Sequence, residues 1–558
     1  MVNLNKKIPI GLSDFKEIIT EDYYFIDKSL LIKEFINNSS KIVLVSRPRR
    51  FGKTLNMSML KYFFNLSDEN GNLFKGLNIE KEVEFKFQGK IPVIFISFKK
   101  LKSNTFESFC KKLKLLMSKQ YLEYKYVLES DDIEIELKIY FEKVLKGECS
   151  LEELELSIEY LMEMISKYYK KKVILLIDEY DVPIQEGYIS DYYDQMISFM
   201  RNMLSSALKD NEYLKKSMLT GILRIAKESI FSGLNNIEVY TLLNKKFSDK
   251  FGFTQNETEK LVYDFNEANQ VEKIKEWYNG YVFDGITIYN PWSVLSYLKN
   301  SYEGLKPYWM NSSENVLIKT LLSKGDEEVK SDLQDLIKGK VIKKNIDDNI
   351  VMKEIETSTQ NLWSFLLMTG YLKYNKKELI EGKYVCELSI PNKEVLIYYT
   401  DMIINWFEDS ITIRKYKIML NSLVNGDIEL FEGLFKDFVL NNVSYFDVSG
   451  KEPERVYHAF VLGMLISLEG EYDVKSNKES GYGRYDVMII PKDKDKLGII
   501  MEFKKIDDFM KDTIDEAGIK ALRQIEDKKY ETELIKYGIK KILKLAIVFK
   551  GKEVCVIS

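Results

Sequence analysis

Residues 41–54 read KIVLVSRPRRFGKT, and the choice of fold turns on this stretch. Lys41–Ser46 is a short β-branched run of strand type, and a helical pattern extends from Lys53 to about Phe64. The turn between them ends in Gly52, Lys53 and Thr54. That ending matches the phosphate-binding pattern G-x-x-x-x-G-K-[ST], with Arg47 where the first glycine would stand. Such a loop turns backbone N–H groups inward at the start of a helix whose dipole favours anions. Gly52 permits close approach, Lys53 reaches the β- and γ-phosphates, and Thr54 holds Mg2+. The plainer alternative is a basic turn capping an ordinary helix.

Further along the chain, Ile91–Phe98 (IPVIFISF) and Lys172–Asp178 (KVILLID) are additional runs of strand length. They are apolar on both sides, as strands of a parallel sheet are. Helical stretches near Thr105–Tyr126 and Leu151–Tyr169 fit crossover connections. Ser217–Thr220 and Glu238–Leu243 are candidate further strands. Ile174–Ile177 leads into Asp178 and Glu179, the expected partners of the loop. Asp178 would hold Mg2+ through Thr54 or water, and Glu179 would polarise the attacking water. Thr220 is placed to meet the γ-phosphate or that water, or simply to cap the segment after its strand. Arg224 is a candidate for charge on the phosphoryl transition state, in cis or from a neighbouring subunit. The expected cofactors are ATP and Mg2+, with Arg49, Arg50, Gly52, Lys53, Thr54, Asp178 and Thr220 contacting the nucleotide or its ion.

From about Lys246 to Leu440 the strand runs fade and amphipathic helical patterns dominate. Residues 444–453 (SYFDVSGKEP) look like a boundary, with Pro453 at a favourable helix start. A helix near Pro453–Leu468 follows, then strand runs at Arg484–Ile490 and Leu497–Phe503. A helix near Asp515–Lys529 and strands at Leu543–Phe549 and Glu553–Ile557 complete the chain. Two neighbouring strands with a short connection can bring Asp486 close to Glu502, and the period of two puts Glu502 and Lys504 on one face. Two carboxylates can bind a divalent cation, and an ammonium beside them can act on the water it activates, as phosphodiester cleavage requires. The bare spacing arises easily by chance in a lysine-rich chain; the flanking strands and helices give it weight. The organisation expected is α/β: a parallel-sheet domain over 1–245, a mostly helical region over 246–445, and a second α/β domain over 446–558.

Composition narrows the chemistry. The 558 residues suggest about three or four domains. Lys and Arg number 82 against 86 Asp and Glu, so net charge (82 − 86 = −4) gives no general argument for nucleic acid, and any basic groove is local. His458 is the only histidine, which excludes zinc centres needing two or three within the chain. Cys110, Cys149, Cys386 and Cys555 are far apart and read as buried thiols of a reducing compartment. No apolar run approaches the ~18 residues of a membrane span, and the opening MVNLNKKIPIGL lacks a signal-peptide core. A cytoplasmic protein without a membrane partner is expected.

The chain resembles a bacterial family of AAA-ATPase-like proteins that carry a C-terminal PD-(D/E)XK nuclease-superfamily domain. The stretches that carry the resemblance are PIGLSDF (Pro9–Phe15), YYFIDK (Tyr23–Lys28), SRPRRFGKT (Ser46–Thr54) and LIDEYDVP (Leu176–Pro183). LTGILRIAKESIFSGLNN (Leu219–Asn236), WYNGY (Trp277–Tyr281), YNPWS (Tyr289–Ser293) and LMTGYL (Leu367–Leu372) extend it over nearly the whole chain. In this family an arginine-rich loop replaces the first glycine. The resemblance implies a P-loop NTPase, AAA-like domain followed by a restriction-endonuclease-like α/β domain, acting on DNA. It implies that Glu454, on the helix before the strands, adds to a metal site with Asp486 and Glu502. It also implies that Gln524 and Tyr530 touch that site. Mg2+, or Mn2+ in its place, is the implied ion, and a homo-oligomer is compatible with the family. The alternatives are a nucleotide-dependent switch or scaffold whose nuclease-like domain binds nucleic acid or protein without cleaving, and an ATPase that uses this fold on RNA. Tyr278, Asn279 and Tyr281 are expected to pack rather than to touch nucleotide.

Overall fold

The computed structural model describes the chain outside residues 1–5, 68, 225–236, 311–315, 324–326, 338, 351, 356–357, 409–412, 443–460, 462–464, 466–467, 469–470, 477–478, 481–482, 507–512 and 551–552. The chain forms two compact units, Met1–Val329 with Gly339–Leu396, and Lys330–Lys338 with Ile397–Ser558.

The first unit is built on five parallel strands: β1 (Ile42–Ser46), β2 (Val93–Ser97), β3 (Val173–Asp178), β4 (Leu214–Gly221) and β5 (Ile237–Tyr240). Every residue of β1 and β3 is buried, so neither strand shows the alternation of a half-wet one. Helices Lys53–Phe64, Ser157–Tyr169 and Tyr193–Leu208 pack on the sheet. The spatial order is β2-β3-β4-β1-β5. β4 therefore lies between the strand that leads into the Gly52-Lys53-Thr54 turn and the strand that ends in Asp178. Val45 pairs with Thr220, Ser46 with Gly221, and Ile177 with Leu219.

The region after β5 is mostly helical, with helices such as Gln255–Asp264, Val271–Tyr278, Pro291–Lys299 and Thr359–Thr369. It also holds two three-stranded antiparallel sheets that the sequence patterns do not reveal. One joins Phe253–Thr254, Ile286–Tyr289 and Tyr281–Phe283; the other joins Ile342–Ile346, Lys373–Ile380 and Lys383–Ser389. The first has strands of two to four residues, too short to show a period. The second is rich in lysine and half exposed, so it lacks the apolar run of a core strand. Its hairpin closes through Glu381 and Gly382, both with left-handed φ (49° and 78°), which matches the right-handed strand twist.

The second unit carries a mixed five-stranded sheet in the order Tyr472–Ser476, Val487–Pro491, Gly498–Lys505, Ile542–Lys550, Glu553–Ile557. Only the pair Gly498–Lys505 and Ile542–Lys550 is parallel. A parallel pair needs a crossover, and here it contains the helix Ile514–Asp527. A capping box of Thr513 and Glu516 opens that helix, satisfying two backbone N–H groups that would otherwise lack partners. The boundary 444–453 and most of the helix expected near Pro453–Leu468 lie outside the described residues, as do Glu454 and His458. Among the described residues no helix is long and apolar enough to cross a membrane. All four cysteines are free thiols; Cys110, Cys149 and Cys386 are buried and Cys555 is partly so.

Candidate functional site

The turn after β1 is shaped by two left-handed residues, Arg50 (φ 69°) and Gly52 (φ 80°). Gly52 needs its conformation rather than space, since a Cβ there would meet nothing within 4 Å. It caps Lys53–Phe64 without a side-chain bond, so the first N–H groups of the helix are left for an anion. Lys53 is 5% exposed, and its ammonium donates to the carbonyls of Arg47 (3.0 Å) and Pro48 (2.9 Å). Burial lowers its pKa, while Glu179, Asp181 and Asp178 act the other way.

Arg47, at the first glycine position, does not face the cleft. It is fully buried and donates to the carbonyls of Ser46 (2.7 Å), Tyr240 (3.0 Å) and Phe247 (3.0 Å). Its guanidinium lies 5.0 Å from the Phe283 ring centre, and burial pushes its pKa down to about 9, still a cation at neutral pH. The arginine thus ties the loop to the end of β5. Arg47→Lys is expected to destabilise the protein by roughly 2–4 kcal/mol, because a lysine cannot reproduce the planar fork and leaves buried carbonyls unpaired. A denaturant midpoint unchanged from wild type would contradict this.

Behind Thr54 the strand order assembles a hydroxyl–carboxylate cluster. The Thr54 hydroxyl donates to Asp178 Oδ2 (2.8 Å) and the Thr220 hydroxyl to Asp178 Oδ1 (2.7 Å); Ser97 stands 3.4 Å from Oδ2. Asp178 and Thr220 are wholly buried. This oxygen-rich set fits a hard cation such as Mg2+. Glu179 follows with φ 55°, a conformation that costs a non-glycine residue about 1 kcal/mol and turns its side chain away from the strand line. Burial raises the Glu179 pKa, opposed first by Lys53.

Arg49, Arg50, Gly52, Lys53, Thr54 and Glu179 all line one cleft of about 430 Å3. Several of its walls carry no signal of that role in the sequence. The PIGLSDF and YYFIDK stretches contribute Pro9, Leu12, Tyr24 and Phe25, and the YNPWS motif contributes Trp292. The Arg50 guanidinium lies 4.1 Å from the centre of the Trp292 ring. Asp181, two residues after Glu179 in the LIDEYDVP stretch, also lines the cleft. As expected, Tyr278 and Tyr281 are packing residues. Tyr278 is fully buried in an aromatic cluster, and Tyr281 meets Phe51 edge-on at 5.0 Å. LMTGYL supports the loop from outside: a Cβ on Gly370 would come 3.0 Å from Pro48. Arg224 is ion-paired with Asp348 at 3.2 Å.

In the second unit, Val487–Pro491 pairs with Gly498–Lys505 in the register Val487–Met501. Asp486, at the edge of that register, accepts the Phe503 N–H at 2.8 Å. Burial raises its pKa, while the Phe503 N–H and Lys504 oppose the rise. Glu502 is 3% exposed, and the Lys504 ammonium lies 3.2 Å from its Oε1. Gln524, on the crossover helix, donates to the same oxygen and sits 3.3 Å from the Tyr530 hydroxyl. The four residues Glu502, Lys504, Gln524 and Tyr530 thus form one network, with Asp486 bonded to the strand that carries it. Among the described residues no group of three or more His, Cys, Asp and Glu gathers as a metal site. Asp486 and Glu502 supply two carboxylates, and their oxygens suit Mg2+ or Mn2+.

Comparison with known proteins matches two regions of the chain to families. Residues 9–231 match the family model described as predicted AAA-ATPase, and residues 452–558 match the PD-(D/E)XK nuclease superfamily. The chain joins an AAA-ATPase-like domain to a PD-(D/E)XK nuclease-superfamily domain. A protein of Azotobacter chroococcum mcd 1, described as an uncharacterized protein in the vnfD 5' region, is 24% identical over 531 residues. That similarity covers 94% of this chain and 93% of the relative, so it spans both domains. Strands β1 to β4 and the Gly52-Lys53-Thr54 turn fall within the residues matched as predicted AAA-ATPase, β5 and Trp292 lie beyond them, and the Asp486–Glu502 network falls within the residues matched to the nuclease superfamily.

Proposed function

We propose that the AAA-ATPase-like domain binds and hydrolyses ATP, and that the nuclease-superfamily domain cleaves DNA with a divalent cation. The observation that carries the first part is the double hydrogen bond from Thr54 and Thr220 to the buried Asp178, with Lys53 and Thr54 lining one cleft. Lys53, with Arg49 and Arg50, neutralises phosphate charge. Asp178 and Thr54 would hold Mg2+, which supplies charge neutralisation between the β- and γ-phosphates. Glu179 takes a hydrogen bond from the attacking water.

In the nuclease-superfamily domain, Asp486 and Glu502 would hold Mg2+ or Mn2+, which lowers the pKa of a water and stabilises charge on the phosphate. Lys504 keeps its ammonium beside that water, and Gln524 fixes the Glu502 carboxylate. Lys504 and Lys505 are partly exposed, while Lys520, Lys528 and Lys529 are exposed, so this domain offers phosphate contacts despite the acidic whole. DNA affinity should therefore fall steeply with salt.

The test pairs two assays. Glu179→Gln should keep ATP affinity and lose phosphate release by about 100-fold or more, because only the water-directed carboxylate changes. Full hydrolysis in that variant removes Glu179 from the role. Purified protein with Mg2+ or Mn2+ should cut single- or double-stranded DNA, assayed with and without ATP. Binding without any cleavage in all these mixtures would make the domain a binding module.

A further inference from the structure

Asp181 shares none of the roles given to Lys53, Thr54, Asp178 and Glu179, although it faces the same cleft. Its side chain is fully buried. One oxygen, Oδ2, accepts three hydrogen bonds: from the Ile222 N–H at 2.8 Å, the Leu223 N–H at 3.0 Å and Gln185 Nε2 at 2.8 Å. The other oxygen, Oδ1, accepts none among the described residues. A buried carboxylate oxygen without a donor is costly, so its retention beside a cleft points to a ligand that brings the donor. Gly221 is needed beside this oxygen: a Cβ there would stand 2.7 Å from both Oδ1 and Tyr180 Cε1.

The surroundings define that ligand. Lys53 and Glu179 are near enough to act electrostatically with Asp181. Lys53 already holds the carbonyls of Arg47 and Pro48, and a triphosphate would draw it further to phosphate. A fully ionised phosphate has no hydrogen to donate and is repelled by a carboxylate. Water is neutral, donates two hydrogens and fits beside the γ-phosphate end of the cleft.

We propose that Asp181 Oδ1 and the Glu179 carboxylate together hold the water that attacks the γ-phosphate. The proposal rests on the ATP-hydrolysis reading. One hydrogen of the water points to each carboxylate. As the water oxygen bonds to the γ-phosphorus, the bond from that phosphorus to the bridging oxygen breaks and ADP leaves with the electron pair. One water proton passes to Glu179, and the other stays on the phosphate product. Asp181 orients the water and takes no proton from it. Its Oδ2 bonds meanwhile hold the Ile222–Leu223 turn at the end of β4.

Asp181→Asn separates these two tasks. The amide oxygen can keep the bonds to Ile222, Leu223 and Gln185, while an NH2 group replaces the open acceptor. The unfolding midpoint and calorimetric ATP affinity should stay near wild type, while kcat for phosphate release falls by about 100-fold. Asp181→Glu retains a carboxylate acceptor and should recover at least about 10-fold of that loss. Because both acids serve one water, adding Asp181→Asn to Glu179→Gln should cost little beyond the larger single effect. Asp181→Asn turnover close to wild type overturns the proposal. So does an equal loss in the Asn and Glu variants, which marks a packing role, or multiplication of the two single effects. A wild-type protein that binds ATP but releases no phosphate overturns the hydrolysis reading and the proposal with it.

Discussion

Lys53→Ala is expected to abolish tight ATP binding. The ammonium is buried and held in place by two carbonyls of its own loop, so its orientation is fixed before ligand arrives. Burial leaves it a poorly solvated cation and lowers its pKa. A triphosphate supplies the opposite charge at that point, where little water screens the attraction. Removing the ammonium should cost about 3 kcal/mol or more, a loss of at least roughly 100-fold in affinity by calorimetry. Asp178 and Thr54 remain in the variant, so residual Mg2+-dependent binding should be weak rather than absent. Affinity within about 3-fold of wild type would take Lys53 out of the phosphate site.

Asp486→Asn and Glu502→Gln are expected to reduce metal-dependent DNA cleavage by about 100-fold or more each, without unfolding the sheet. Both changes keep side-chain shape. The amide introduced at position 486 retains an oxygen for the Phe503 N–H, and the Gln524 contact to position 502 can re-form with a carbonyl oxygen. Each variant loses a negative charge next to a cation. Metal affinity, followed by Mn2+ titration, should fall with activity. Lys504→Ala should behave differently, keeping metal and DNA but losing rate, because Lys504 is bonded to the Glu502 carboxylate and its proposed role is on the nucleophile, not on affinity. Cleavage unchanged in the double carboxylate variant would place the active site elsewhere.

The strands that build both cores were readable because they are buried on both faces. KIVLVS, KVILLID and the run before Glu502 are continuous apolar segments, and each lies in the structure within a residue or two of its expected place. The helix after Gly52 was readable because the turn chemistry and the helical period agree. The antiparallel sheet of Lys373–Ile380 and Lys383–Ser389 was not, since lysine and glutamate on a wet face hide a strand period. Asp181 stands in the LIDEYDVP run, yet nothing local shows that one of its oxygens is held by the turn after β4 and the other is left open among the described residues. Arg47 stands at the first glycine position, and nothing local shows that its side chain turns back to the carbonyls of Tyr240 and Phe247.

Local chemistry was written in the sequence alone: a left-handed glycine before a helix, a lysine and threonine in its first turn, acids at the ends of apolar strands, and a Glu-x-Lys pair on one face of a strand. These follow from steric limits on φ, from the two-residue period of strands and from the burial of apolar runs. Which distant residues meet was settled by tertiary packing. Thr54 and Thr220 both reach Asp178 because β4 inserts between β1 and β3, a choice made by packing long-range hydrophobic strands rather than by any local pattern. Gln524 reaches Glu502 because a parallel strand pair requires a crossover, and the helix in that crossover must pack back onto the sheet.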